Sequence, residues 1–275
     1  MTLRRIFLAP AWLTVLITMA VPIAIILAYS FLNRGAYGGV EQPWTIESYQ
    51  RLIDPLYSGI FLRTLWISLL ATALCLVLAF PLAMFIAASG KRRNLYLSLV
   101  TLPFWTSFLI RLYAWMFLLR DQGLINSTLM SLGWIHEPLP MLYNSGAVLL
   151  GLVYGFLPFA VLPLYATLER LDRSMLEAAS DLGARPWTAF WRVTVPLSAS
   201  GIRAAGVLVF IPCLGTYLVS DLLGGSRTVL VGNLVQNQFT TARDWPFGSA
   251  IAIALMLFAV GLLALLTRKQ GESIL

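Results

Sequence analysis

The feature that most limits this chain is a series of apolar stretches. Each is close to the ~20 residues a helix needs to cross a hydrocarbon layer. Six occur, at residues 7–32, 64–88, 96–119, 145–168, 201–220 and 247–267. Only 11% of the residues are charged, against roughly a quarter in a soluble domain. Inside a bilayer the backbone must satisfy its own donors and acceptors, so such stretches become helices. The expected fold is therefore an all-α integral membrane protein with six transmembrane helices. Most of the stretches carry proline, at Pro22, Pro81, Pro103, Pro158, Pro163 and Pro212. Bent, mutually packed helices suit a transporter, although membrane helices also tolerate proline without function. The third stretch is broken by Arg111, and the fifth is short.

Basic residues set the orientation. Arg4, Arg5, Lys91, Arg92, Arg93, Arg170, Arg173, Arg185, Arg192, Arg203, Arg268 and Lys269 fall on one side. Arg34, Arg51, Arg63, Arg120, Arg227 and Arg243 fall on the other. The richer side is cytoplasmic, so both termini are expected there. The net charge of +7 is then topological and points to no nucleic-acid partner. The apolar run after Arg5 exceeds a signal-peptide core of about 7–15 residues, so an uncleaved first span is expected. Cys75 and Cys213 both lie in apolar stretches and read as core residues, not as a disulfide. The chain divides into a first span and outer loop (1–60), a permease domain (61–268) and a short cytoplasmic tail (269–275).

One cytoplasmic loop, 169–200, holds the polar stretch EAASDLGARPWTAFWRVTVP at 177–196. Ser174 and Glu177 have capping-box spacing. Gly183 stands where a left-handed residue would end a helix, and Pro186 where a second would begin. Pro196 closes the segment. A helix–turn–helix is expected at the cytoplasmic face, with small Ala178 and Ala179 open to close approach. Trp187, Phe190 and Trp191 would anchor it. A solvated amphipathic loop fits the same local physics equally well.

The spacing Glu177-Ala178-Ala179, three residues, Gly183, nine residues, Val193-x-Val195-Pro196 resembles the EAA motif of ABC importer permeases of the type-1 class. Val193 and Val195 stand where that family usually has Ile and Leu. Further text resembles the spermidine/putrescine permeases of that family: IDPLY (53–57), PFWTSFLIRLYAW (103–115), GLVYGFLPFAVLPLYATLERLD (151–172), SDLLGG (220–225) and RDWPFG (243–248). The likeness runs from about residue 44 to 264. It implies that Glu177, Ala178, Ala179, Asp181, Gly183 and Ala184 form a coupling helix that docks into an ATPase subunit. It further implies a heterodimer with a second permease, an ATPase dimer and an extracytoplasmic binding protein, in a bacterial inner membrane. Alternating access driven by ATP would be the mechanism.

The chain has no GxxxxGK(S/T) phosphate loop, so ATP and Mg would be used by a partner subunit and no cofactor by this chain. No catalytic or metal-ligand constellation is visible, and His136 reads as a surface residue. The chain is expected to be a transport subunit, not an enzyme.

A polyamine needs carboxylates for its ammonium groups and aromatic faces for its methylenes. Asp221, with Tyr217 one turn earlier, is placed at the outer mouth of a path, with Asp244, Trp245 and Trp105 as further candidates. Asp244 also reads as a helix cap, and Asp221 as an interfacial charge. Arg111 is expected in the outer half of its span, snorkelling, in a gating or structural role, paired with Asp221 or Asp121. Gly151 and Gly155 form a GxxxG read as packing. Other importer cargoes (ferric iron, thiamine, an amino-acid-like solute) or an ion-coupled carrier are the competing readings.

Overall fold

A computed structural model describes residue 10 and residues 12–271. Arg4, Arg5, the start of the first expected span and the last four residues of the expected tail lie outside the described residues. The regular secondary structure of the described residues is helical apart from one hairpin of two-residue strands. In order, the elements are α1 (Trp12–Tyr29), β1 (Asn33–Arg34), β2 (Val40–Glu41), α2 (Glu47–Arg51), α3 (Pro55–Ala88), α4 (Arg93–Thr101), α5 (Phe108–Leu119), α6 (Leu124–Ser131), α7 (Ser145–Leu168), α8 (Arg173–Asp181), α9 (Pro186–Leu197), α10 (Ala199–Gly215), α11 (Val231–Thr240) and α12 (Trp245–Gly271).

Among the described residues four helices, α1, α3, α7 and α12, are long and apolar enough to cross a membrane unaided. The expected third span is instead bent, and α10, the main part of the expected fifth, meets α9 of the 169–200 loop at a bend. The segment Gly90–Trp105 meets Phe108–Ser131 at 86°, and Pro186–Leu197 meets Ala199–Gly215 at 68°. Counting each bent pair as one span gives six. Pro103 tightens the chain into a 3-10 turn, after which Thr106 is extended. The Thr106 hydroxyl donates to the Pro103 carbonyl at 2.8 Å, which meets part of the need that the break creates. The expected fifth span, 201–220, ends early at Gly215, because Thr216 is extended and a separate helical turn follows. Pro81 behaves differently and leaves α3 continuous over 34 residues. That helix begins nine residues before the expected 64, where Asp54 accepts from the Leu56 N–H at 2.8 Å and Pro55 opens the first turn.

The chain forms two compact units. The first combines residues 1–62 with 230–275. Its core is Val231, Leu234, Phe247 and Ile251, with Tyr57 edge-on to Phe247 at 4.7 Å. Hairpin β1–β2 is stitched to the turn before α12. Arg34 donates to the Ala242 carbonyl at 2.7 Å, and the Gly39 N–H donates to the Arg243 carbonyl at 3.1 Å. Gly38 has φ +93°, and a Cβ there would stand 2.7 Å from the Cβ of Arg243.

The second unit spans 63–229. Its dominant contact is α7 against α10. The α10 face repeats every four residues as Gly201, Ala205, Val209 and Cys213, all buried. Small residues let membrane helices approach closely, and dispersion then holds them. A Cβ at Gly201 would lie 2.5 Å from the Thr167 hydroxyl and 3.2 Å from the Pro163 carbonyl. The GxxxG pair has the packing role expected of it. Gly151 lies under Leu223 and Val219, and Gly155 under Phe108. Both cysteines are free and buried, as expected.

Gly201→Val would wedge α7 from α10. Overpacking of this kind destabilises by roughly 1–3 kcal/mol, and the midpoint of thermal unfolding in detergent should fall. An unchanged midpoint would show that this contact is not close-packed.

Candidate functional site

The 169–200 loop forms a helix–turn–helix, as the sequence implied, but its start differs. The cap is Asp172, not Ser174: the carboxylate accepts from the Ser174 N–H at 2.9 Å. Ser174 is the second residue of α8. Asp-x-Ser is an Asx-turn signal, and a short carboxylate reaches the first free donors more directly than the expected box. The bonds from Ser174 hold the Asp172 carboxyl below the ordinary carboxylate range. Its folded pKa is thus depressed. The stabilisation is present above the unfolded pKa and is lost as pH falls through the folded value.

The far end of α8 closes as a Schellman motif. The Ala184 N–H donates to the Ala179 carbonyl at 3.0 Å, and the Gly183 N–H to the Ser180 carbonyl at 2.9 Å. Gly183 has φ +80°, as its expected cap position requires. Pro186 opens α9 at its first turn. Glu177, Ala178, Asp181 and Gly183 are exposed, and Ala179 and Ala184 half-buried. Met175 and Leu182 of the same segment also face outward. The segment therefore presents a small, partly apolar ridge flanked by two carboxylates.

Behind this ridge, Trp187, Phe190 and Trp191 form one aromatic cluster, with ring centroids 5.2–5.8 Å apart. Phe190 stands edge-on to Phe80 of α3 at 5.4 Å. The cluster is anchored through Phe190, while Trp187 and Trp191 remain exposed. A π-helical turn, Phe190–Thr194, sits at this point. Arg93 and Glu169 form an ion pair that ties the start of α4 to the end of α7. No local sequence signal could have joined residues so far apart. A cavity of about 400 Å³ lies beneath α8, lined by Met84, Leu168, Leu176, Glu177 and Thr194 among others.

The outer candidates separate. Asp221 and Tyr217 lie one helical turn apart: the Asp221 N–H donates to the Tyr217 carbonyl at 2.8 Å. Asp221 is exposed, in a π-helical turn, Ser220–Gly224. Trp105 is 90% exposed at the break before α5. Asp244 is otherwise engaged. It is only 3% exposed, pairs with Arg51 at 2.8 Å, and caps α12 by accepting from the Phe247 N–H at 3.1 Å. Its alternative reading as a cap is the one the contacts favour. Burial works against the charge of Arg51. Hydrogen bonds to Asp244 and Tyr57 outweigh it, so the guanidinium pKa stands above its ordinary value. Arg51 also lies 4.0 Å over the Phe247 ring. Trp245 stacks on Tyr29 at 6.2 Å.

Arg111 departs from expectation. It is 8% exposed and does not snorkel. Among the described residues it forms no ion pair with Asp121 or Asp221. Its guanidinium lies 5.1–5.9 Å from the rings of Phe104, Phe108 and Tyr154. Cation–π attraction replaces the expected carboxylate, because the 86° bend brings Phe104 back over Arg111.

Residues 48–269 match the family described as binding-protein-dependent transport system inner membrane component. The spermidine/putrescine transport system permease protein PotB of Escherichia coli (strain K12) is 43% identical over 255 residues, covering 92% of each chain. PotB of Salmonella typhimurium (strain SL1344) is 42% identical over 256 residues, covering 93% of this chain and 88% of the relative. The crystal structure of a bacterial alginate ABC transporter, in complex with an alginate pentasaccharide-bound periplasmic protein, superposes with a TM-score of 0.78 at 17% identity. It covers 96% of this chain and 92% of that one, and the likeness is one of fold.

Two outcomes follow. Arg51→Met would leave the Asp244 carboxylate buried without its cation, destabilising by about 1–3 kcal/mol. Asp244→Asn, which keeps a capping oxygen, should lower the unfolding midpoint less; equal losses would refute the ion-pair assignment. Gly183→Val forces a branched side chain into left-handed backbone, at a cost of about 1–2 kcal/mol. Hydrogen exchange should then report faster opening of 173–184, and unaltered protection would show that the turn has another way to form.

Proposed function

The chain belongs to the family of binding-protein-dependent transport system inner membrane components, and from that premise we propose that its cargo is a polyamine and its drive a separate ATPase. It is a multi-pass inner-membrane permease subunit of an ABC importer. The cargo reading is carried by one observation: about two residues in five are shared with spermidine/putrescine permeases along nearly the full length of both chains.

In this reading α8 is the coupling helix. Glu177, Ala178, Ala179, Asp181, Gly183 and Ala184 meet the ATPase, which binds ATP and Mg. The rigid cap at each end supports the role, since a frayed helix would absorb a push instead of passing it on. Force would travel along α9 into the Phe190–Phe80 contact, and through the Glu169–Arg93 pair to α4. A second, different permease completes the path, and an extracytoplasmic binding protein delivers cargo. The neighbour solved with a periplasmic protein supports that last partner.

On the outer side, Asp221 is an exposed carboxylate at a span's end with Tyr217 one turn away, a pairing suited to an ammonium group and its methylenes. Trp105 offers a further open aromatic face. Asp244 is left out, because Arg51 already neutralises it. Arg111 takes a structural role at the bend, clamped by three rings.

Uptake of labelled spermidine into proteoliposomes holding the complete transporter decides the reading. Uptake should require ATP and the binding protein, and an ion gradient alone should drive none; sustained gradient-driven uptake would overturn the proposal. Asp221→Asn should reduce kcat/KM about tenfold, the size of one charged hydrogen bond, with assembly intact. Wild-type kinetics would remove Asp221 from the path.

A further inference from the structure

A cavity of the second unit stands at the end of α5 and has no part in the coupling element or the proposed cargo contacts. Its volume is about 630 Å³. Its walls come from three loop regions and include Arg120, Asp121, Tyr143, Gly225 and Arg227. The distribution of basic residues puts all three regions on the extracytoplasmic side.

These walls are built. Asn126 is fully buried and acts as a staple: its amide donates to the Arg120 carbonyl at 3.2 Å and the Leu139 carbonyl at 3.0 Å. Its carbonyl accepts from the Leu139 N–H at 2.9 Å. The Tyr143 N–H donates to the Leu223 carbonyl at 2.9 Å, joining the second loop to the third. Tyr143 has φ +60° and Gly225 φ +55°. A Cβ at Gly225 would stand 2.8 Å from the Tyr143 ring, so the two strained positions fit only each other. Beyond them, the Ser220 hydroxyl bonds the Thr228 carbonyl and closes the third loop. A non-glycine residue at positive φ persists only where its surroundings enforce it.

The charges in this rigid frame are incompletely matched. Arg120 and Arg227 are exposed, and neither forms an ion pair among the described residues. Arg120 is steadied by the Phe117 ring, 4.9 Å from its guanidinium carbon. Asp121 shares the wall, so two guanidiniums face one carboxylate. A polycationic cargo is repelled by that balance, while an anionic side chain is attracted. A pre-organised frame also spares a partner the entropy of ordering loops.

We propose that this cavity is a docking socket for an acidic side chain of the extracytoplasmic solute-binding protein, gripped by Arg120 and Arg227. The inference rests on the importer reading and names the contact through which the delivering protein is held. Carboxylates pair with arginine in a directional, bidentate manner. Charges at an aqueous rim act mainly on the association rate and its salt dependence.

The test uses the complete transporter in lipid nanodiscs, immobilised and titrated with its binding protein at low and high salt. The double variant Arg120→Glu, Arg227→Glu should raise Kd about tenfold, the size expected from two rim ion pairs, chiefly through slower association. It should also flatten the salt dependence. Replacing both arginines by lysine should hold Kd within about threefold of wild type. Because a damaged protein cannot gain affinity, Asp121→Asn is the decisive companion: removing the competing carboxylate should tighten binding about threefold. Wild-type affinity and salt slope in the charge-reversed protein would overturn the socket, as would unchanged or weaker binding in Asp121→Asn. Wild-type transporter that captures no binding protein would instead overturn the importer reading, and the socket with it.

Discussion

Everything in this structure is subordinate to the rule that a backbone in hydrocarbon must pair its own polar groups. Helices satisfy it cheaply, so each place where a helix stops has to be accounted for. The stop at Trp105 is met partly by Thr106, whose hydroxyl folds back to Pro103. The stop between α9 and α10 falls at Ser198, which is buried and donates to the Thr194 carbonyl at 2.7 Å. At Thr216 the N–H still reaches the Pro212 carbonyl at 3.0 Å. Small hydroxylated residues thus mark the breaks, and prolines set where they fall.

The breaks have consequences for charge. Folding α4 back at 86° lays Phe104 beside Arg111, giving a buried guanidinium an aromatic environment in place of an ion pair among the described residues. In the other unit the same need is met differently. Arg51 pairs with Asp244, lies over Phe247, and draws α2 to the start of α12. Two buried or half-buried arginines therefore organise two units through different chemistry. The exposed acidic side chains that remain, Asp221 among them, are the ones left for a soluble or transported cation.

The proposed coupling element and the proposed socket share a design. Each is a short polar segment closed by specific caps: Asp172 and Gly183 on one side, Asn126 with the Tyr143–Gly225 pair on the other. Rigid segments at both membrane faces are what a subunit needs if a nucleotide-driven partner and a delivering partner are to act on it from opposite sides.

Much of this was legible in the chain. Apolar length gave six crossings, and the described residues return four helices long and apolar enough to cross and two bent pairs. Gly183 and Pro186 marked a turn that is there, and the Glu177–Pro196 spacing pointed to the right family. These features are local, governed by propensity, capping and hydropathy within a few residues. The sequence misplaced the α8 cap because Ser174 and Asp172 both obey capping grammar, and only geometry chooses between them. It could not pair Arg51 with Asp244 or Arg93 with Glu169, nor show that Arg111 would meet rings instead of an acid. Sequence alone determined that this chain crosses a membrane, and it carried the expectation of which face is cytoplasmic, because both readings rest on composition summed along the chain. Tertiary structure decided which charges are free to act, because that depends on which distant residues the bends bring within a few ångströms.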